Sequence, residues 1–146
     1  MKRDNRLSAI LHAVLHIAES DGPMTSEALA SCMHTNPVVV RRTMAGLREA
    51  GIVAAAKGHH GGWSLTRQLS EISLFDIYAA LGRPDLFGFG GGLAPQSVCL
   101  LEQAVDTALE AERRDAEARL LERMRAIKLS DLAADFEKRL AGRKDN

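Results

Sequence analysis

The chain has 146 residues, 46% of them hydrophobic, and its nineteen Lys/Arg balance nineteen Asp/Glu to give no formal net charge. That length can bury a proper core in one domain with an appended helix. No apolar run approaches the roughly 18 residues of a membrane span, and two distant cysteines, Cys32 and Cys99, make no disulfide framework. A soluble cytoplasmic protein with no membrane partner is the expectation. The basic, apolar N-terminus resembles a weak signal peptide, but His12 and His16 interrupt it and no small-residue cleavage site follows.

In chain order, a broad apolar stripe (Leu7, Ile10, Leu11, Val14, Leu15, Ile17, Ala18) predicts a mostly buried helix over 7–20, broken by Asp21-Gly22-Pro23. Thr25-Ser26-Glu27 offers a cap for a short helix to Met33, with Ala28, Leu29 and Cys32 inward. His34-Thr35 then makes a tight turn. Asn36 can cap a third helix and Pro37 suits its first position. Val40, Met44 and Leu47 recur at helical spacing, and Gly51 supplies the stop. Arg41, Arg42 and Arg48 fall away from that apolar row, leaving the free face basic. Two short helices joined by a few residues, the second basic, match a helix-turn-helix.

Residues 52–57 and 63–66 read as strands joined by Gly58-His59-His60-Gly61-Gly62, and Trp63 reads as core. A basic helix beside a basic, glycine-tipped hairpin suggests one element for the major groove and one for the backbone or minor groove of DNA. The fold class expected is mainly α with a small β-hairpin: a winged helix-turn-helix. Charge distribution agrees with it. Residues 1–67 carry eight Lys/Arg against five Asp/Glu and all five histidines; the rest carry eleven against fourteen.

Ser70 or Ser73 can cap a helix carrying Leu74, Ile77, Tyr78 and Leu81, ended by Gly82. Residues 83–95, rich in Gly and Pro, read as a mobile loop. Pro95 opens the longest helical pattern, to about Leu129, and Ser130 caps a final short helix to about Leu140. The expected organisation is a DNA-binding domain over 1–82, a loop over 83–95 and a dimerisation arm over 96–146. Val98, Leu101, Val105, Ala108 and Leu109, then Leu120, Met124 and Ile127, keep one face of the long helix apolar. A small winged domain cannot cover so long a face, so a homodimer is expected, against the alternative that 120–140 folds back on 98–109.

The run 47–53 (LREAGIV), the wing 58–65 (GHHGGWSL) and the segment 72–77 (ISLFDI) resemble the Rrf-two (Rrf2) family of bacterial winged-helix regulators, and Lys128-Leu129-Ser130-Asp131-Leu132 resembles the segment after that family's long dimerisation helix. The resemblance implies a homodimeric transcription factor, usually a repressor, reading a pseudo-palindromic double-stranded operator with its third helix. By position it assigns DNA contact to Asn36, Val38, Arg41 and Arg42 on that helix, and to Lys57, Gly58, His59 and His60 on the wing. Cluster-binding members place three cysteines ahead of the long helix, since an iron–sulfur cluster needs several thiolates close together. Here only Cys99 stands there. A cluster would need histidine, acid or partner-chain ligands, and the expectation is no cofactor. Cys99 reads as a small buried apolar residue, as a redox-active thiol favoured by the helix start, or as a ligand; Cys32 reads as core. The implied effector is an oxidant or a small molecule.

Two other classes stay in view. A winged helix can serve as a protein–protein interaction module without DNA, a reading opposed by the arginine pair and the intact wing. No nucleophile–base pair, metal motif or phosphate loop suggests an enzyme, and the glycines of 88–92 lack the spacing of a nucleotide site.

Overall fold

The computed structural model of the chain describes residues 6–87 and 99–144. Its elements are α1 (Arg6–Glu19), α2 (Ser26–Cys32), α3 (Pro37–Glu49), β1 (Val53–Ala56), β2 (Gly62–Leu65), a 3-10 turn (Leu69–Glu71), α4 (Leu74–Ala80), α5 (Leu100–Ala126) and α6 (Leu129–Lys144). The strands pair antiparallel, Val53 opposite Leu65 and Ala56 opposite Gly62. This is a winged helix-turn-helix followed by a long helix and a terminal one.

Ile10, Ala13, Val14 and Ile17 of α1 meet Leu29 and Ala30 of α2, Val40, Met44 and Leu47 of α3, Trp63 of β2 and Ile77 of α4 in one core. In α2 the inward pair is Leu29 and Ala30, while Ala28 is exposed and Cys32 half-buried. The inner face of so short a helix is set by where α1 and α3 converge on it. Trp63 packs as expected, its indole N–H donating to Ser26 Oγ at 3.0 Å. Met24 adds a short third rung to the wing through two backbone bonds with Trp63, 2.8 and 2.9 Å.

α3 and α4 approach so closely that a Cβ at Gly46 would lie 2.6 Å from the Ala80 carbonyl oxygen. Ser73 caps α4, its Oγ accepting from the Asp76 N–H while the Asp76 carboxylate accepts from Ser73 N–H and Oγ. Burial opposes ionisation of Asp76. The bonds from Ser73, with the charges of Arg67 and Lys128, outweigh it and hold the carboxyl below its ordinary value.

The C-terminal half differs from expectation. The predicted helix from Pro95 to about Leu129 is observed from Leu100, with Cys99 at the N-cap position, and it ends at Ala126. Pro95 and Val98 lie outside the described residues, as does most of the predicted 83–95 loop. Residues 127 and 128 break the helix because the backbone here pairs with 72–74: Leu74 N–H donates to the Ile127 carbonyl and Leu129 N–H to the Ile72 carbonyl, at 3.0 and 2.9 Å. Ser130 therefore lies inside α6 rather than capping it, and Asp131 accepts from the Lys128 N–H at the helix start. α6 reaches Lys144, so it is not short, and Leu129 is buried in the winged core.

The charged middle of α5 is an internal ladder. Arg113 bridges Glu110 and Glu117, Arg114 also reaches Glu110, and Arg119 pairs with Asp115, all at 2.8–2.9 Å. Phe75 of α4 lies under the Arg125 guanidinium, 3.9 Å from ring centroid to charge, and fixes α5 against the winged part. Leu100 and Leu101 are 79% and 74% exposed, and Val105 and Leu109 half exposed. No described part of the chain covers them, so the fold-back of 120–140 onto this face is not realised.

Candidate nucleic-acid interface

Helix α3 is built from its cap. Asn36 Oδ1 accepts from the N–H groups of Val38 and Val39 at 3.1 and 3.0 Å, and Pro37 occupies the first turn. With its oxygen spent on two of the helix's free amides, Asn36 acts as the structural cap of α3. Val40, Met44 and Leu47 are fully buried, which turns Val38, Val39, Arg41, Arg42 and Arg48 outward. No acid stands in the first turn, so the helix dipole adds to the positive character of this end.

The two adjacent arginines differ. Arg41 Nη2 lies 3.0 Å from Glu27 Oε1 of α2, an exposed pair that ties the two helices of the motif together. Arg42 has no ion-pair partner among the described residues. An exposed pair like Glu27–Arg41 is worth about 0–1 kcal/mol. Sequence reading gave no sign of it, since it spans the turn between two helices. Val39 is not among the contacts the sequence assigns, although counting 100° per residue from buried Val40 places Val39 at the edge of the open face and Val38 well onto it.

At the wing, Gly58 adopts φ 102°, and its carbonyl accepts from the Gly61 N–H at 3.0 Å. His59 and His60 are thereby the two central residues of a tight turn, their rings edge to face at 4.9 Å. Lys57, Gly58, His59 and His60 are all exposed. His12 and His16 approach each other on α1, Nε2 to Nε2 at 2.8 Å, as a hydrogen-bonded pair. Among the described residues no three His, Cys, Asp or Glu gather as a metal group.

Cys99 is exposed at the head of α5, which removes its reading as a buried apolar residue: the apolar side of this helix start faces away from the chain's own core. Neither cysteine is in a disulfide. No helix among the described residues is long and apolar enough to cross a membrane.

Comparison with known proteins agrees with this architecture. The Rrf2 family model, described as iron-dependent transcriptional regulator, matches residues 3–135. YwnA of Bacillus subtilis (strain 168), which carries the name of an HTH-type transcriptional regulator, is 31% identical over 107 residues, 73% of this chain and 78% of YwnA. Among solved structures, a transcriptional regulator from Lactobacillus plantarum superposes with TM-score 0.73 at 23% identity, covering 98% of this chain and 99% of that one. IscR of T. potens superposes with TM-score 0.69 at 21% identity, covering 94% and 90%. These two likenesses establish the fold.

The family description names iron, and an iron–sulfur cluster is ordinarily held by about four thiolates. The whole sequence holds two cysteines, one on α2 and one at the head of α5, and residues 88–98 contain no Cys, His, Asp or Glu. These donors do not fit such a cluster. With the family model matching residues 3–135 and a 31% identical relative aligned over 73% of the chain, the protein belongs to the Rrf2 family, and it is a winged helix-turn-helix DNA-binding transcriptional regulator.

Proposed function

We propose that the chain acts as a homodimeric, sequence-specific repressor in the cytoplasm, without an iron–sulfur cluster. Residues 1–82 bind operator DNA and residues 96–146 form the assembly arm. The observation that supports it best is the capped N-terminal turn of α3, which holds Val38, Val39 and Arg42 outward on a rigid helix while Val40, Met44 and Leu47 anchor it from behind. A helix about 10–12 Å across fits a major groove of about 12 Å. Arg41 and Arg42, with Lys57 and the Gly58–His59–His60 wing tip, supply phosphate and groove contacts. The dimer reading rests on the uncovered face of α5, a helix of about 40 Å at 1.5 Å per residue. A second copy packed there sets the spacing of two reading helices on a two-fold symmetric operator.

Control of binding runs through the head of α5. Cys99 is exposed there, so an oxidant or thiol-reactive small molecule reaches it without opening the core. A change at this residue repositions α5, and with it the paired reading helices.

The test is fluorescence anisotropy of the full chain against duplexes it selects from a random pool, with salt varied. Tight binding to one selected sequence, weakening linearly in log salt, is the expected result. Equal affinity for all sequences sinks the regulator reading. Repeating the titration after mild oxidation, on the native chain and on Cys99→Ser, tests the sensor: the native protein loses affinity and Cys99→Ser keeps it.

A further inference from the structure

The first turn of α3 exposes two apolar side chains side by side, Val38 at 61% and Val39 at 41%. A solvated helix face needs no valines, and these contribute nothing to the core that Val40 enters one residue later. They are held stiffly. The Asn36 cap fixes the backbone at both residues, and β-branching leaves valine one strongly preferred rotamer in a helix. The result is a small, rigid apolar surface whose ordering costs are already met before anything docks on it.

Its surroundings decide what docks. Arg42 stands one turn beyond Val38 on the same face, and Arg41 and the positive helix end flank it. A second copy of this basic end would repel the first, and a neutral apolar partner would bury the unpaired Arg42. DNA satisfies all of them: phosphates and guanine edges take the arginines, and the one apolar group on the major-groove floor is the thymine 5-methyl.

Resting on the DNA-binding reading above, we infer that Val38 and Val39 are thymine-reading residues, packing on 5-methyl groups of the operator while Arg42 supplies the adjacent polar contact. Apolar matching of this kind selects bases without spending a hydrogen bond.

The decisive experiment removes only the methyl. In the duplex the full chain selects, each thymidine is replaced in turn by deoxyuridine, which keeps every Watson–Crick and groove hydrogen bond. One or two positions per half-site should weaken binding about fourfold each, the worth of one buried methyl. Val38→Ala and Val39→Ala, at exposed positions of a helix that favours alanine, should keep the thermal midpoint and bring the thymidine-to-deoxyuridine affinity ratio at the matching position to about one. If deoxyuridine is tolerated at every position while the selected sequence is still preferred, this inference fails and the regulator reading stands. A ratio that persists in both valine variants also overturns it. Loss of self-association or of protein binding in those variants, with the ratio unchanged, assigns the patch to a protein partner and overturns it too. Absence of any preferred sequence overturns both readings.

Discussion

At the scale of single residues, what separates Arg41 from Arg42 is a neighbour fourteen positions away. Glu27 holds Arg41 at 3.0 Å, whereas Arg42 projects from the same turn with no such partner among the described residues. Arg41 must exchange one ion pair for another on meeting phosphate, so its net gain is small. Arg42→Ala should therefore cost about 1–3 kcal/mol of operator binding and Arg41→Ala distinctly less, as read by anisotropy at fixed salt. Equal losses would show that Glu27 releases Arg41 without cost. Asn36 makes a contrasting case. Its oxygen already serves two helix amides, so Asn36→Ala should lower folding stability by about 1 kcal/mol in denaturant titration. Gly46 is constrained from outside its own helix. Gly46→Ala drives a methyl into the Ala80 carbonyl and should destabilise the fold by about 1–3 kcal/mol, with a lower thermal midpoint as the readout.

At the scale of elements, the charged stretch of α5 is a self-contained ladder rather than a free acidic surface. Hydrogen bonds from Arg113 first, and then Arg114, pull the Glu110 carboxyl down from 4.5 to about 2. A folded-state value below the unfolded one contributes stability that is fully present above about 4.5 and is lost as pH falls toward 2. Far-UV circular dichroism of the native chain and of Arg113→Ala should coincide near neutrality in moderate salt. As pH falls through that window, α5 helicity should drop earlier in the variant, where Glu110 protonates at a higher pH. Asp76 shares the sign for a different reason, its carboxylate being held by the Ser73 cap of α4 against the opposing effect of burial. Carboxyl chemical shifts followed through the acid range check both directions.

At the scale of the whole molecule, the row Leu101, Val105 and Leu109 on α5 is exposed, with none of the described residues over it. Leu101→Asp together with Val105→Asp should give a folded monomer by sedimentation velocity and cut operator affinity by more than the loss of any single DNA contact, because two half-sites are then bound independently. An unchanged sedimentation coefficient would remove the dimer reading.

The winged part was legible because its determinants are local. A cap residue, a proline, an i, i+3, i+4 apolar row and a glycine with positive φ act within a few residues of themselves, so Asn36, Pro37, Val40, Met44, Leu47 and Gly51 specify α3 before any partner arrives. Core and open face follow from helical periodicity alone. The resemblance to Rrf2 regulators is carried by other local runs, 47–53, 58–65 and 72–77. Where the long helix ends did not follow from local rules. Residues 127 and 128 continue a helical pattern, and only the pairing of this segment with 72–74, some fifty residues earlier, pulls them out of it and makes α6 a separate helix. The Glu27–Arg41 pair, the exposure of Cys99 and the inward turn of Ala30 have the same origin. Sequence by itself determined where the helices of the winged part form and which face α1 and α3 present. The tertiary structure decided which charges are already engaged, which apolar faces stay uncovered and where the last helix begins, because each depends on groups that only folding brings within a few ångströms.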